Sequence, residues 1–211
     1  MLVRHFMTTD LFTLTPEQTC REALAEFKRR RIRRAPVVAG GKLVGIVSER
    51  DLLRVLPGTC GEASTTAGED GMEVPVRDIM IANMATVGPN DPLAKAADLM
   101  LKKRIGGLPV LQDGKLKGII TESDVFKALH AILSSGTGVT IIFEEPGRPA
   151  EGDHDYAGLC LTHGCRLHTF LRYPKLGGAT MYFLRMEGKN AQAVVRALWA
   201  MGNKVLWTEG T

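Results

Sequence analysis

The chain contains one stretch of sequence twice, and this duplication constrains its fold more than any other feature. A shift of 73 positions aligns residues 3–57 with residues 76–130 without a gap. The matches include Pro36-Val37 with Pro109-Val110, Gly41-Lys42-Leu43 with Gly114-Lys115-Leu116, and Glu49 and Asp51 with Glu122 and Asp124. A repeat of this density indicates one folding unit used twice, which places two related surfaces side by side.

Local patterns predict the same elements in both copies: a strand, a helix, a β-hairpin and a second helix. Apolar residues at helical spacing mark the first helices, namely Ala23, Leu24 and Phe27, and Leu93, Ala96, Ala97 and Met100. Asp91-Pro92 predicts a capped helix start, whereas the first copy offers two starts, Thr15-Pro16 and Thr19. Hairpins are predicted at 35–47 and 108–120 around Gly-Gly and Asp-Gly turns, and second helices over 49–56 and 122–133.

Composition places the chain among ordinary globular proteins. Residues 58–75, between the copies, are rich in glycine, serine, threonine and acidic residues, and they predict a mobile linker. The net charge is +4, and residues 1–57 hold eleven Lys or Arg against six Asp or Glu. No apolar run is long enough to span a bilayer, and residues 1–9 lack the apolar stretch of a signal peptide. We therefore expect a cytoplasmic protein with reduced thiols at Cys20, Cys60, Cys160 and Cys165.

Three motifs recur at identical spacing in both copies. They are Arg-Ile-x-x-x-Pro-Val from 31 and 104, Gly-Lys-Leu-x-Gly-Ile from 41 and 114, and Ser/Thr-x-x-Asp from 48 and 121. Together they resemble a tandem pair of CBS domains, the arrangement called a Bateman module. The resemblance implies a mixed α/β (α+β) fold with CBS domains at 1–57 and 76–134, arranged about a pseudo-twofold axis that leaves two clefts. It also implies that these clefts bind an adenosine-containing ligand such as AMP, ADP, ATP or S-adenosylmethionine.

The Ser/Thr-x-x-Asp motifs lie where a strand turns into a helix. Taken alone, such a motif is a capping box that satisfies free N–H groups of the helix. In the family, the same helix N-terminus offers N–H groups and a positive dipole end to a phosphate. The resemblance therefore implies a phosphate role for Ser48 and Thr121 and a ribose role for Asp51 and Asp124.

The resemblance also implies where the base is held. The backbone of Thr13-Leu14-Thr15 and of Thr86-Val87-Gly88 would contact the purine edge. Four apolar side chains would wall the pocket: Val37, Ile46, Val110 and Ile119. Simple core packing is the equally open interpretation of these four side chains.

The two copies differ just before the core strand, where Arg33-Arg34 corresponds to Gly106-Gly107. Nucleotide-binding members of the family often hold basic residues here, and a planar guanidinium meets phosphate oxygens bidentately. We expect Arg33 or Arg34 to bind the ligand phosphates and the two clefts to differ in affinity or in ligand. The basic run at 28–34 also permits a nucleic-acid interpretation, which the lack of interleaved aromatic residues disfavours.

Residues 137–211 break the repeat and predict the element order βαββαβ. Strands are predicted over 138–144, 165–172, 180–185 and 204–207, and helices over 155–163 and 191–201. This order resembles an ACT domain, which has a ferredoxin-like fold, and Pro146-Gly147 lies at the ligand loop of that family. The resemblance implies a dimerisation platform, and hence a homodimer, or an amino-acid site, which the additional polar stretch 148–153 disfavours. A CBS pair followed by an ACT domain is also similar to the acetoin-utilisation regulatory family of bacteria.

Four residues in this region could in principle bind zinc: Cys160, His163, Cys165 and His168. They straddle a predicted helix end and the next strand, where alternation directs Cys165 and His168 to opposite faces. We therefore expect no metal site.

The sequence favours a regulatory binding protein over an enzyme. No nucleophile has a base at a recognisable spacing, no phosphate-loop or dinucleotide fingerprint is present, and Asp51 and Asp124 belong to separate clefts. We expect no catalytic cofactor, because the adenine nucleotide or S-adenosylmethionine acts as a regulatory ligand that shifts a conformational population. The alternatives are a dimeric scaffold, a nucleic-acid-binding regulator without a nucleotide, and an amino-acid sensor acting through the ACT-like domain. The regulated protein is left unidentified.

Overall fold

The computed structural model describes residues 1–55, 74–134, 138–145, 154–174 and 179–210. Most of the predicted linker at 58–75, together with Cys60 and Pro146-Gly147, lies outside the described residues. The chain divides into two compact units, Met1–Lys127 (unit 1) and Ala128–Thr211 (unit 2). Helices and antiparallel strands occur in both units, which agrees with the predicted mixed α/β fold class.

Unit 1 contains the same helix–hairpin–helix arrangement twice. In the first copy the elements are α1 (Cys20–Arg30), β1 (Arg34–Ala39), β2 (Lys42–Ser48) and α2 (Glu49–Arg54). In the second copy they are α3 (Leu93–Lys103), β3 (Gly107–Gln112), β4 (Lys115–Thr121) and α4 (Glu122–Leu133), the last of which continues into unit 2. Both hairpins pair in the same register, with Val37 opposite Gly45 and Val110 opposite Gly118. The two predicted hairpins and the bounds of α4 are confirmed.

The start of α1 is fixed by a capping box. The hydroxyl of Thr19 accepts the N–H of Glu22 at 3.2 Å, and the Glu22 carboxylate accepts the N–H of Thr19 at 3.0 Å. Of the two starts that the sequence offered, Thr19 is therefore the one used. The apolar face predicted for this helix is confirmed, since Ala23, Leu24 and Phe27 are all buried.

The predicted cap of α3 is wrong. The helix begins at Leu93 with Pro92 as its N-cap and without a side-chain capping bond. The carboxylate of Asp91 instead accepts the N–H of Gly88 at 2.8 Å and the ammonium of Lys95 at 2.9 Å. These two donors hold the pKa of Asp91 below its ordinary value, with the Gly88 N–H as the larger cause.

In place of the leading strand predicted for each copy, the structure has a short 3-10 turn, Val3–His5 or Val76–Asp78, within an extended segment. The first segment crosses to the second copy, where Thr8 pairs with Ile119 through N···O distances of 2.9 and 3.0 Å. Ile81 pairs in the same way with Ile46 of the first copy, at 3.1 and 2.9 Å. No regular strand forms because each segment divides its pairing between the sheets of both copies.

Unit 2 has the predicted order βαββαβ. Its elements are β5 (Val139–Glu145), α5 (Tyr156–Thr162), β6 (Arg166–Pro174), β7 (Thr180–Glu187), α6 (Ala191–Ala200) and β8 (Lys204–Glu209). The strands form one antiparallel sheet in the order β6-β7-β5-β8, so β6 and β8 lie at its edges. The core of the unit includes the fully buried side chains of Ile141, Phe143, Leu184, Met186 and Leu198. Across the described ranges of the chain, no helix is long and apolar enough to cross a membrane.

Candidate functional site

Two cavities open on unit 1, and each is lined by residues of both copies. One, of about 420 Å³, contains Thr121 and Asp124 and is called the Thr121 cleft. The other, of about 880 Å³, contains Ser48 and Asp51 and is called the Ser48 cleft. The shift of 73 that relates the copies also relates the linings: residues 10–12 and 30–34 line the Thr121 cleft, and residues 83–85 and 103–107 line the Ser48 cleft. Residues 30–34 and 103–107 are called the pre-strand segments. Each cleft therefore combines the Ser/Thr-x-x-Asp motif of one copy with the pre-strand segment of the other.

The motif of the Thr121 cleft is a closed hydrogen-bonded frame. The Thr121 hydroxyl and the Thr121 N–H both donate to Oδ2 of Asp124, at 2.7 and 3.0 Å. The other carboxylate oxygen, Oδ1, accepts the Lys127 ammonium at 2.9 Å. Only 3% of the Asp124 surface is exposed, so these contacts fix the carboxylate at the cleft wall. Lys127 also lines the cleft and adds a positive charge beside that carboxylate.

The frame of the Ser48 cleft repeats this geometry. Ser48 donates to Oδ2 of Asp51 through its N–H at 3.0 Å and its hydroxyl at 2.5 Å. Arg54, which corresponds to Lys127, lies 3.6 Å from Oδ1. The Ser48 hydroxyl also accepts the N–H of Asp51 at 3.4 Å, which completes the capping box that the motif predicts for this copy. Because each hydroxyl already donates its proton to a carboxylate, the strongest donors available to a phosphate are the basic side chains of the clefts.

The pre-strand segment of the first copy reaches the frame of the second. Arg33 donates through Nη2 to the hydroxyl of Ser123 at 3.3 Å, inside the Thr121 cleft. Arg30 of the same segment stacks its guanidinium over the ring of Phe12, with 4.5 Å from Cζ to the ring centre. Arg33 therefore stands across from Thr121 and Asp124 as well as on the wall of the Ser48 cleft.

Arg34 lies over Gly106 and Gly107, the glycine pair that corresponds to Arg33-Arg34 in the second copy. A Cβ atom on Gly106 would stand 2.8 Å from Nη1 of Arg34, and one on Gly107 would stand 2.9 Å from its Cδ. The two glycines thus provide the room that the arginine side chain occupies. Half-burial lowers the pKa of Arg34 from its ordinary value, an effect that the nearby carboxylate of Glu122 opposes.

Basic side chains line both clefts in similar number. Five line the Thr121 cleft, namely Arg30, Arg31, Arg33, Arg34 and Lys127. Six line the Ser48 cleft, namely Arg33, Arg34, Arg50, Arg54, Lys103 and Arg104. The expectation that positive charge is concentrated in the first copy holds for the sequence, but it does not leave the Ser48 cleft without cations.

Several residues assigned to the base pocket are not among the lining residues of the two clefts. The N–H and C=O of Leu14 are paired with Pro36 and Val38, and those of Val87 with Pro109 and Leu111. Val37 and Val110 are fully buried in the core. Neither Thr13, Thr15, Thr86 nor Gly88 lines either cavity, whereas Ile119 and Ile46 line one each.

The segments that do line the clefts begin three residues earlier, at Asp10–Phe12 and Asn83–Ala85. Phe12, Ser123 and Lys127 line the Thr121 cleft, and the sequence did not predict them as candidate site residues. The shift of 73 relates them to Ala85, Arg50 and Arg54, which line the Ser48 cleft and were not predicted either, so the repeat alone could not have found them.

The cysteine and histidine set in unit 2 does not form a metal-binding cluster in the part of the chain that the structure describes. Cys160 and Cys165 are buried free thiols, while His168 lies 3.3 Å from the carboxylate of Glu187. Burial raises the pKa of Cys160 to about 11, which keeps this thiol protonated at neutral pH.

Comparison with protein families and curated proteins identifies the repeat. A family model described as CBS domain matches residues 3–58 and 76–131. The CBS domain-containing protein YhcV of Bacillus subtilis is 32% identical over 141 residues, which cover 66% of this chain and 94% of YhcV. Protein MJ1225 of Methanocaldococcus jannaschii is 32% identical over 129 residues, 60% of this chain and 46% of MJ1225. The chain thus spans less than half the length of this archaeal relative.

Three solved structures share the same fold. A putative acetoin utilization protein (AcuB) from Vibrio cholerae is 34% identical with a TM-score of 0.53, covering 63% of this chain and 93% of its own. The CBS domain pair of protein MJ0100, in complex with 5′-methylthioadenosine and S-adenosyl-L-methionine, is 25% identical with a TM-score of 0.53, covering 62% and 97%. CBSX2 in complex with AMP is 30% identical with a TM-score of 0.53, also covering 62% and 97%.

Proposed function

Because the chain belongs to the CBS-domain family, we propose that it is a regulatory protein that binds an adenosine-containing ligand in the Thr121 and Ser48 clefts. The complexes of CBSX2 with AMP and of MJ0100 with 5′-methylthioadenosine and S-adenosylmethionine support a nucleotide-sensing regulatory role. The observation that carries the proposal is the contact of Arg33 with Ser123, which brings a phosphate-binding guanidinium of one copy beside the Thr121–Asp124 frame of the other.

The chemistry of the Thr121 cleft suits a nucleotide. Arg33, Arg31 and Lys127 offer charge-assisted hydrogen bonds to phosphate oxygens. Asp124 is held at the wall as a hydrogen-bond acceptor for ribose hydroxyls, in exchange for its bond to Lys127. Phe12 and Ile119 supply apolar surface for the base.

A ligand held from both copies explains how binding becomes regulation. A nucleotide that contacts Arg33 and Asp124 together binds best when the two copies stand at one mutual distance. It therefore shifts the population toward that arrangement, by no more than its difference in affinity for the alternatives. This mechanism needs no chemical step, which is why we propose a sensor and not an enzyme.

Isothermal titration calorimetry of the full chain tests the proposal. AMP, ADP, ATP, S-adenosylmethionine and 5′-methylthioadenosine are titrated in turn, with NAD and amino acids for comparison. We expect saturable binding of at least one adenosine compound and a loss of about tenfold or more in its affinity for the Thr121 cleft in Asp124→Ala and Arg33→Ala. Arg21→Ala, at an exposed position of α1 outside both clefts, is the matched control and should bind as the wild type does.

Two outcomes would count against the proposal. If no adenosine compound binds, the scaffold alternative is favoured, and binding of an oligonucleotide or an amino acid would instead identify the corresponding alternative. If a compound binds equally well to the wild type and to the variants, its site is not the Thr121 cleft.

We also propose that unit 2 is an ACT-like dimerisation platform, which would make the protein a homodimer. Its sheet order supports the ACT-like assignment, and the edge strand β8 supports a partner of the same sequence. Antiparallel pairing of β8 with its copy about the point between Leu206 and Trp207 would place Lys204 opposite Glu209 at both ends. Leu206 and Trp207 are 43% and 46% exposed, a large apolar surface for an unpaired edge.

Charge exchange on β8 tests this dimer. Lys204→Glu would face Glu209 across the pairing and should weaken the dimer roughly fivefold in sedimentation equilibrium. The double variant Lys204→Glu/Glu209→Lys restores opposite charges and should restore the dimer. A wild-type chain that stays monomeric, or a double variant that stays as weak as the single one, would contradict the proposed pairing.

A further inference from the structure

The Thr121 and Ser48 clefts are separate cavities with a common wall. Four residues line both of them: Arg33, Arg34, Gly106 and Glu122. Two of these are the cations that nucleotide phosphates would meet first. A ligand in one cleft therefore contacts residues that also line the other cleft.

Of the four shared residues, Arg34 is the one whose charge a ligand in either cleft would affect most. It begins β1 opposite Ser48 in the hairpin register, yet its guanidinium extends over Gly106 and Gly107 of the other copy. In the part of the chain that the structure describes, this guanidinium has no hydrogen-bond or ion-pair partner. The Arg33 guanidinium, in contrast, already donates to Ser123 in the Thr121 cleft. A half-buried guanidinium that makes no hydrogen bond gains most from an anion, since burial disfavours its charged form and the Glu122 carboxylate opposes that effect only in part.

We propose that Arg34 couples the two clefts negatively: a phosphate-bearing ligand in one cleft takes this guanidinium and weakens phosphate binding in the other. The proposal rests on the proposed function, because both clefts must bind adenosine ligands. One planar guanidinium presents its paired N–H groups to a single phosphate at a time. A second anionic ligand would then meet a neutralised arginine and a like charge across the common wall.

The coupling is specific to charge. An uncharged ligand such as 5′-methylthioadenosine neither uses Arg34 nor brings a negative charge to the common wall. Two such ligands are therefore expected to bind independently, and one should leave the ATP affinity of the other cleft unchanged. The affinities of the two clefts are then coupled for phosphate-bearing ligands and independent for nucleosides.

Calorimetry with ATP measures the coupling directly. Asp51→Ala leaves only the Thr121 cleft competent, and Asp124→Ala leaves only the Ser48 cleft. The product of the two wild-type association constants, divided by the product of the constants of these two variants, is the coupling factor. We expect a factor of about one fifth or smaller with ATP and a factor of one with 5′-methylthioadenosine. Asp51→Asn and Asp124→Asn repeat the measurement if an alanine variant is poorly folded.

Two variants assign the coupling to Arg34. Arg34→Gln should weaken ATP in each cleft but bring the coupling factor close to one. Gly106→Ala keeps the charge and moves the guanidinium off the wall, because the new Cβ would stand 2.8 Å from Nη1, so it should also raise the factor. A factor of one in the wild type overturns the coupling, and a factor that stays low in Arg34→Gln overturns the assignment to Arg34. Absence of ATP binding from wild type and both single variants overturns the proposed function as well.

Discussion

Asp51 and Asp124 lie in the first turns of α2 and α4, and each uses one carboxylate oxygen to accept the N–H of the residue before its helix and presents the other to a cation one turn later. The motif alone predicts the capping bonds, because they are local and depend only on residues three apart. It does not predict that the hydroxyl protons are consumed in the frame. That detail is why the proposal assigns the main phosphate contact to the arginines of the facing segment and not to Ser48 and Thr121.

Asp91 shows where the same reasoning fails at the residue scale. An acidic residue before a proline predicts a helix cap, but the free N–H of Gly88 lies closer to this carboxylate than the N–H groups of α3 do. Two acceptor geometries compete at such a position, and the turn that precedes the helix decides between them. Sequence spacing alone does not describe that turn.

The Asp91 carboxylate should stabilise the protein in a pH-dependent way. At pH 7 we expect Asp91→Ala to lower the free energy of unfolding by about 1 kcal/mol, because it removes a charge-assisted bond to Gly88. The pKa of Asp91 is lowered in the folded protein, so its stabilising effect is present above the ordinary value of 3.8 and is lost as pH falls through the folded value. Urea titrations at several pH values measure this difference.

Asp98→Ala is the control for that measurement. Asp98 lies exposed on α3 and, among the described residues, forms an ion pair only with Lys102 four residues on, so its removal should change the free energy of unfolding by less than about 0.5 kcal/mol. A loss in Asp91→Ala that is equally large at pH 7 and at pH 2.5 would show that the charge of the carboxylate has no part in it.

At the scale of elements, the hairpins and α4 follow from local patterns, because Gly-Gly and Asp-Gly turns and β-branched stretches specify them within a dozen residues. The leading segments do not, because their pairing partners come from the other copy, more than a hundred residues away for Thr8 and Ile119. A gapless repeat shows that two surfaces are equivalent. It does not show which copy completes which sheet.

The crossed segments predict a severe effect at Gly118. A Cβ atom there would stand 2.8 Å from the carbonyl oxygen of Thr8, which is backbone and cannot turn away. We expect Gly118→Ala to lower the free energy of unfolding by about 1–3 kcal/mol, since it separates Thr8 from Ile119. Gly88→Ala is the matched control, because its nearest neighbour would be 3.7 Å away. Equal stability of the two variants in urea denaturation would contradict the crossed arrangement.

At the scale of the whole molecule, the duplication produces clefts that neither copy could form alone. Each cleft takes its Ser/Thr-x-x-Asp frame from one copy and its pre-strand segment from the other. The sequence predicts both halves of this site, and it predicts that Arg33-Arg34 makes the clefts unequal. The pairing of halves depends on how the copies pack, which is a long-range property. The central claim is therefore that Arg33 of the first copy binds the ligand phosphate beside the Thr121–Asp124 frame of the second copy.

The most direct test is the affinity of ADP for the full chain in an Asp51→Ala background, where only the Thr121 cleft can bind. Adding Arg33→Ala to this background should lower the ADP affinity about tenfold or more, because a charge-assisted hydrogen bond to phosphate is lost. Adding Arg21→Ala should leave that affinity unchanged. An ADP affinity that is the same with and without Arg33 would contradict a cleft built from both copies.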